Sequence, residues 1–173
     1  MSTIQKALIA AGCFWGIEEF YRKINGVKKT TVGYSGGNLI NPTYQDVCNG
    51  NTGHAEVVLI HFIAEKISYD TIIDNFWKCH DPTQLNRQGF DIGTQYRSAI
   101  FFIDNKQESL AIKFKKSLDD SNAFPSPIIT EITKLDVFYD AEEYHQDYYK
   151  NNQNQPYCKF VIKPKLDKFF NNN

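Results

Sequence analysis

The sequence predicts an α/β (α+β) fold, a two-layer sandwich in which helices pack on one mixed β-sheet. Strand-like apolar segments alternate along the chain with segments whose apolar residues recur at helical spacing, and this alternation forms two β-α-β halves of similar length. The chain has 173 residues, which fits one domain, and it contains no internal repeat or interdomain linker. We therefore expect a single catalytic domain over residues 1–173, with a core at about 4–135 and a mobile, irregular C-terminal tail at 136–173.

The first half of the chain begins with the apolar segment QKALIA, which predicts a strand. A helix from Phe14 to Ile24 follows, because its apolar residues fall on one face at helical spacing. After the break at NGV, the segments KKTTVGYS and HAEVVLIHF predict two further strands. The Gly- and Asn-rich segment SGGNLINPTYQDVCNGNTG connects these strands as a long loop, and loops of this length without regular structure usually carry function.

The second half begins with a helix in SYDTIIDNFWKCHDP, where Ser68 is an N-cap candidate and Pro82 lies beyond the end. A second polar loop, DPTQLNRQGFDIGTQ, precedes the strand YRSAIFFI. An amphipathic helix around Lys106 to Leu118 and the strand PIITEITKL complete this half.

Composition and charge exclude several classes of function. A formal net charge of −1 with scattered lysines gives no electrostatic footprint for nucleic acid or an anionic membrane. No apolar run is long enough to span a bilayer or to form a convincing signal peptide. We therefore expect a cytoplasmic protein, and the absence of heptads or of a strongly apolar exposed stretch predicts a monomer. Its cysteines form no C-x-x-C pair and start as thiols in a reducing compartment.

The segment AAGCFWG places Cys13 at a predicted strand-to-helix junction, beside two large aromatic residues. One interpretation is structural, because free cysteine is among the most buried residue types. The other is catalytic, because a helix N-terminus stabilises a thiolate and lowers its pKa, and the aromatic rings could line an apolar pocket. The local sequence leaves both interpretations open.

The polar loops and strand ends supply candidate partners for Cys13. Glu56 lies at the start of an apolar strand, where a buried carboxyl would hold its proton and could act as a general acid, although a solvent-facing position is the commoner case. Tyr44, Asp91 and Tyr96 lie in loops, where they could orient a polar atom or simply pack. His54 and His80, likewise, could pair with the thiol or stabilise a turn.

Five motifs, in order, resemble the A-type peptide methionine sulfoxide reductases. They are GCFWG, GYSGG, NPTYQDVCNGNTGHAE, FWKCHDPTQLNRQGFDIGTQYRS and QPYCKFVIKPKL, and the resemblance covers roughly residues 5–168. It implies an α/β sandwich with a ferredoxin-like core and reduction of the S epimer of methionine sulfoxide, free or in peptides and proteins. It also implies a thiol reductant, thioredoxin or dithiothreitol, in place of a bound cofactor or metal.

The resemblance assigns roles to residues already singled out. Cys13 becomes the nucleophile and Glu56 the acid that protonates the sulfoxide oxygen. The remaining substrate-binding positions are Phe14 and Trp15 as walls for the S-methyl group, Tyr44 and Tyr96 as hydrogen-bond donors to the oxygen, and Asp91 as the carboxylate that orders a water.

A resolving thiol is expected in the tail. Cys158 follows the polar segment NQNQP and matches the late Y-C position of the family, so we expect a Cys13–Cys158 disulfide that thioredoxin reduces directly. Many relatives carry a further cysteine in a glycine-rich tail, which this chain lacks. Cys48 is a possible substitute resolver, and Cys79 follows an apolar helical face and is expected in the core.

Two rival classes make different predictions. A cysteine hydrolase using Cys13 with His54 and Asp91 would turn over acyl or amide substrates without reductant. A metal-binding module would retain zinc, although the spacing of its cysteines and histidines is poor for that purpose.

Overall fold

The computed structural model describes residues 1–171. Its strands are β1 (Ile4–Ala11), β2 (Val27–Ser35), β3 (Ala55–Ile63), β4 (Arg87–Gln88), β5 (Asp91–Ile92), β6 (Ser98–Phe102), β7 (Glu131–Lys134) and β8 (Phe138–Asp140). Its α-helices are α1 (Phe14–Arg22), α2 (Tyr44–Cys48), α3 (Tyr69–Cys79), α4 (Asn105–Asp120), α5 (Tyr148–Asn151) and α6 (Lys163–Phe170).

Six strands form one sheet in the order β7-β6-β1-β3-β2-β8, and β4 pairs with β5 separately. The β6–β7 pair is parallel and the other neighbours in the six-stranded sheet are antiparallel, so the expectation of a mixed sheet with helices is confirmed. Side chains alternate along β1 between two apolar clusters. Ile9 belongs to the large cluster shared with the helices, whereas Leu8 belongs to a smaller cluster on the opposite face.

Helices α1 and α3 form where the apolar spacing predicts them. Ser68 caps α3 by accepting a hydrogen bond at 3.2 Å from the backbone N–H of Thr71, and the helix buries Ile72, Ile73 and Phe76 completely. These buried side chains face the sheet and fix the helix on it.

The two long loops contain more regular structure than the sequence analysis predicts. Helix α2 lies in the first loop, where Thr43 and Asp46 form a reciprocal capping box. The second loop contains the β4–β5 hairpin and a 3₁₀ turn at Thr94–Tyr96. Local hydrogen bonds therefore give both functional loops a defined geometry.

The tail also differs from the expectation of an irregular segment. A π-helical turn at Cys158–Ile162 leads directly into α6, and the ring of Phe20 on α1 packs against those of Phe169 and Phe170 at 4.6 and 5.4 Å. Apolar residues at helical spacing explain this packing. Residues 172 and 173, the end of the predicted tail, lie outside the described residues. Within residues 1–171, no helix combines the length and apolarity needed to cross a membrane.

Candidate active site

The structure brings Cys13 and Glu56 together where α1 meets the sheet. Gly12, with a φ of 97°, turns the chain from β1 into α1 and leaves Cys13 at the N-cap position. Alternation along β3 places Glu56 on the same face as Val58, towards the helices. The backbone N–H of Phe14 donates a hydrogen bond to Oε1 of Glu56 at 3.1 Å, which ties the two elements together.

Glu56 is buried and holds a proton at neutral pH. Glu56 is only 2% exposed. Burial raises its pKa to about 8, and the charge of Asp91 makes a smaller contribution to the rise. The hydrogen bond from Phe14 opposes this shift. Because Oε1 accepts that bond, the other oxygen can carry the proton and donate it. The direction of the shift is the one that burial at a strand end predicts.

The expectation of a low thiol pKa at Cys13 is wrong for the resting protein. Burial raises the pKa of Cys13 well above its usual value, and the charges of Glu56 and Asp91 raise it further. The backbone N–H of Trp15 and the hydroxyl of Tyr157 lower it, but they do not outweigh desolvation. The residue itself keeps partial solvent exposure. The helix N-terminus therefore lowers the pKa of Cys13 as expected, but burial raises that pKa by more.

The two predicted tyrosine donors lie close to the acid. Tyr44 begins α2 and Tyr96 ends the 3₁₀ turn. Burial is the largest cause of the raised pKa of each phenol, and the charge of Glu56 is the second largest. The Tyr44 hydroxyl is close enough to the Cys48 thiol to lower its pKa, against the larger rise that burial causes. Asp91 lies on β5 and is close enough for its charge to act on Cys13, Glu56 and Tyr96. The loops thus bring these predicted residues around one thiol.

Trp15 contacts the C-terminal region through a hydrogen bond and a ring stack. Its indole N–H donates to Nδ1 of His145 at 2.9 Å, and its ring stacks on Tyr148 with centroids 3.8 Å apart. Phe14 is only 1% exposed and packs 5.2 Å from the His145 ring. Trp15, which is half-buried, therefore presents more surface to a ligand than Phe14 does.

The sequence patterns do not identify three further residues that contact the candidate site. The Tyr157 hydroxyl donates to Oδ2 of Asp91 and lies within hydrogen-bonding range of the Cys13 sulfur. His145 orients Trp15, and Glu142 accepts hydrogen bonds from the Tyr34 hydroxyl at 3.0 Å and the Tyr44 backbone N–H at 2.9 Å. Two features of the sequence could have indicated these residues. They are the tyrosine- and histidine-rich segment AEEYHQDYY, at residues 141–149, and the adjacent Tyr157 and Cys158.

The cysteines occupy distinct environments, and all four are free thiols. Cys158 is fully buried, directly after Tyr157. Cys48 is partly exposed beside Tyr44, and the Cys79 sulfur donates to the backbone oxygen of Phe76 at 3.3 Å. A disulfide between Cys13 and Cys158 would therefore require the buried tail segment to rearrange.

Both predicted histidine partners are engaged elsewhere. His54 accepts at Nδ1 from the backbone N–H of Gly37 at 3.0 Å and bonds through Nε2 to the Leu39 oxygen at 2.8 Å. His80 lies 2.8 Å from the Phe76 oxygen and 2.7 Å from the hydroxyl of Ser98. The hydrolase alternative with a Cys13–His54 pair is not supported. Across residues 1–171, no three His, Cys, Asp or Glu side chains cluster as a metal site.

Comparison with known proteins is consistent with this geometry. The family model described as peptide methionine sulfoxide reductase matches residues 5–173. A relative from Vesicomyosocius okutanii subsp. Calyptogena okutanii (strain HA), named peptide methionine sulfoxide reductase MsrA, is 52% identical over 167 residues, which cover 96% of this chain and 99% of the relative. The resemblance seen in the five motifs is therefore confirmed.

Solved structures give the same result. Reduced Mxr1 from Saccharomyces cerevisiae matches with a TM-score of 0.83 and 35% identity, covering 90% of this chain and 89% of that one. Mxr1 in complex with Trx2 matches with a TM-score of 0.59 and 27% identity, covering 84% of each chain. The chain belongs to the peptide methionine sulfoxide reductase family and reduces methionine sulfoxide.

Proposed function

We propose that this chain reduces the S epimer of methionine sulfoxide, free or in peptides and proteins, with Cys13 as nucleophile and Glu56 as general acid. The observation that carries the assignment is the buried Glu56, whose pKa of about 8 keeps it protonated at neutral pH beside the thiol. A sulfoxide sulfur becomes electrophilic when its oxygen receives a proton. The pair supplies both components of that reaction.

The protonation state of Glu56 also matters for the thiol. With Glu56 neutral, the second-largest cause of the raised Cys13 pKa is absent, because an uncharged carboxyl does not repel a thiolate. The Cys13 thiol gives up its proton to solvent, with which the residue keeps partial contact, and the thiolate then attacks the sulfur while Glu56 transfers its own proton to the oxygen. Collapse of the intermediate releases methionine and leaves the sulfur of Cys13 as a sulfenic acid, which carries the oxygen.

The surrounding residues bind and orient the sulfoxide. Tyr44 and Tyr96 donate hydrogen bonds to the oxygen as negative charge develops on it. Trp15 and Phe14 hold the S-methyl group, and Asp91 orders a water when Tyr157 is displaced. Two phenols within electrostatic range of Glu56 support this arrangement.

Cys158 acts as the resolving thiol. Its sulfur attacks the sulfenic sulfur of Cys13, water leaves, and a Cys13–Cys158 disulfide forms. Tyr157 contacts the Cys13 sulfur and precedes Cys158 directly, so withdrawal of Tyr157 from the site moves the resolver as well. Thioredoxin then reduces the disulfide by thiol exchange, or dithiothreitol does so in vitro, and no bound cofactor takes part. The complex of the related Mxr1 with Trx2 supports this reductant.

The finer architecture belongs to the same proposal. The β6-β1-β3-β2 order with α1 and α3 as connections supports a ferredoxin-like, two-layer core. We assign residues 1–173 to one catalytic domain with a core at about 4–135 and a tail from residue 136, in which the segment around Tyr157 and Cys158 moves during the cycle. A monomer in the cytoplasm fits the scattered charge and the four free thiols.

Separate assays of the S and R epimers of acetylmethionine sulfoxide amide test this function. We expect the S epimer to be consumed with thioredoxin or dithiothreitol and the R epimer to remain. Equal consumption of the R epimer, or sustained turnover without any reductant, would refute the proposal. The second result would revive hydrolase-type chemistry, which needs no electrons.

A further inference from the structure

Glu142 joins three segments around the catalytic site, and the assigned mechanism gives it no role. The residue lies between β8 and the 3₁₀ turn at Glu143–His145, and it is half-buried. Its Oε1 accepts a hydrogen bond from the Tyr34 hydroxyl at 3.0 Å, and its Oε2 accepts one from the backbone N–H of Tyr44 at 2.9 Å. These partners lie on β2 and at the start of α2. One carboxyl group therefore connects the tail, the sheet and the first functional loop.

Glu142 is ionised at neutral pH, which strengthens both hydrogen bonds. Burial alone would raise its pKa, but the backbone N–H of Tyr44, its own backbone N–H and the hydroxyl of Tyr34 together hold the pKa below its usual value. Hydrogen bonds to a charged acceptor are shorter and stronger than those between neutral groups. The contacts of Glu142 can thus hold a neighbouring segment in place.

Helix α2 needs such a contact because it is short. It has five residues, and an isolated helix of this length is not stable in water. The capping box of Thr43 and Asp46 satisfies its first turn, but both residues belong to the same loop and do not attach the helix to the sheet. The buried Val47 and the hydrogen bond from Tyr44 to Glu142 supply that attachment. The orientation of Tyr44 therefore depends on Glu142.

The other end of this linkage reaches the acid. Tyr34 is fully buried and lies directly opposite Glu56 in the β2–β3 ladder, so the two side chains share one face of the sheet. The Tyr34 hydroxyl thus anchors Glu142 to the strand pair that carries the acid. The ring of His145, three residues after Glu142, packs against the Tyr44 ring with centroids 4.4 Å apart. A continuous series of contacts therefore relates Tyr44 to Glu56.

We propose that Glu142 is a positioning residue that aims the Tyr44 hydroxyl at the sulfoxide oxygen to which Glu56 transfers its proton. The inference rests on the proposed function, because it concerns the donor role that the mechanism assigns to Tyr44. Glu142 does not touch the substrate and acts through Tyr44. A donor to this oxygen must lie within about 3 Å of it, and a displacement of about 1 Å can cost about a hundredfold in rate. Since the hydrogen bond strengthens as charge develops on the oxygen, loss of Glu142 should lower kcat more than it raises KM.

Two backgrounds are needed for the test, because Tyr96 is a second proposed donor and can partly replace Tyr44. Glu142→Met removes both acceptor oxygens and keeps an unbranched side chain of similar length. In the Tyr96→Phe background, where Tyr44 alone of the two phenols remains, this change should lower the single-turnover rate of methionine release from acetylmethionine S-sulfoxide amide by about tenfold. In the Tyr44→Phe background it should change the rate by less than about twofold, because the hydroxyl that Glu142 positions is already absent. Glu143→Met, at an exposed glutamate of the adjoining turn, is the matched control and should leave the rate of Tyr96→Phe unchanged.

A purely structural role for Glu142 would slow both backgrounds by the same factor. Equal losses in the two backgrounds, or no loss in Tyr96→Phe, would therefore overturn the proposal. Glu142→Gln keeps one acceptor for Tyr44 and loses the charge, so it should show the same asymmetry at about threefold and provides the comparison if Glu142→Met does not fold. Failure of the proposed function would instead appear in the wild type, which would release no methionine from the S-sulfoxide, so the two failures are distinguishable.

Discussion

The backbone N–H of Phe14 donates a hydrogen bond to Oε1 of Glu56 at 3.1 Å, and this contact joins the start of α1 to the start of β3. The two residues are separated by 42 positions, yet the bond sets the carboxyl beside the thiol of Cys13. It also fixes which oxygen of the carboxyl is an acceptor. The proton of Glu56 is therefore directed away from the backbone, where a bound oxygen can receive it.

Glu56→Gln should slow methionine formation in a single turnover by about a hundredfold or more, because an amide cannot transfer a proton to the oxygen. The rate is followed by quenched-flow measurement of methionine released from the S-sulfoxide. Glu108→Gln on α4 is the control and should leave the rate unchanged. A near-normal rate in Glu56→Gln would show that the proton comes from another group.

The buried carboxyl should also make stability depend on pH. The pKa of Glu56 is about 8 when folded against a usual value of 4.5, so the folded chain retains a proton that the unfolded chain releases between these values. The free energy of unfolding of the wild type should therefore fall as pH rises from about 4.5 to 8, by up to about 4–5 kcal/mol from this group.

Urea unfolding of the wild type and Glu56→Gln across this pH range isolates the contribution. The variant cannot ionise at position 56, so its stability should fall less steeply than that of the wild type. Parallel pH profiles for the two proteins would mean that Glu56 does not carry a raised pKa.

Tyr157→Phe should raise the pKa of Cys13, because the phenol hydroxyl lowers that pKa. The variant also removes the hydrogen bond to Asp91, whose charge raises the pKa of the thiol. The titration is followed by ultraviolet thiolate absorbance in a background in which the other three cysteines are serine. Tyr139→Phe on β8 serves as control. A lower thiol pKa in Tyr157→Phe would contradict the contact that the structure describes.

Cys158→Ser should release about one methionine per protein with thioredoxin and then stop, because the sulfenic acid at Cys13 lacks its resolver. Cys79→Ser should sustain turnover, since that thiol is bonded to the backbone of α3. Methionine is counted per protein over time. Sustained turnover in Cys158→Ser would identify Cys48, beside Tyr44, as an effective substitute.

Much of the fold follows from local periodicity. The spacing of Ile72, Ile73 and Phe76 predicts α3, and Ser68 caps it as expected. Periodicity does not predict α2, because its five residues are too few for a helical period to show, although Thr43 and Asp46 carry the capping-box pattern.

Local sequence patterns likewise predict only part of the candidate site, and the rest depends on contacts between distant segments. Motif resemblance leads to Cys13 and Glu56, and strand alternation explains why Glu56 faces inward. The pKa of Cys13 depends on desolvation by distant segments, which no local pattern contains. His145 is likewise 130 residues from Trp15, so their hydrogen bond emerges only when the tail packs against α1.

The central claim is that the sulfur of Cys13 attacks the sulfoxide, and Cys13→Ser tests it most directly. Methionine released from the S-sulfoxide in a single turnover is compared with that from the wild type, while near-ultraviolet circular dichroism checks that the variant is folded. We predict about one methionine per wild-type protein and none from the folded variant. Release of methionine by Cys13→Ser at a rate near that of the wild type would contradict the account.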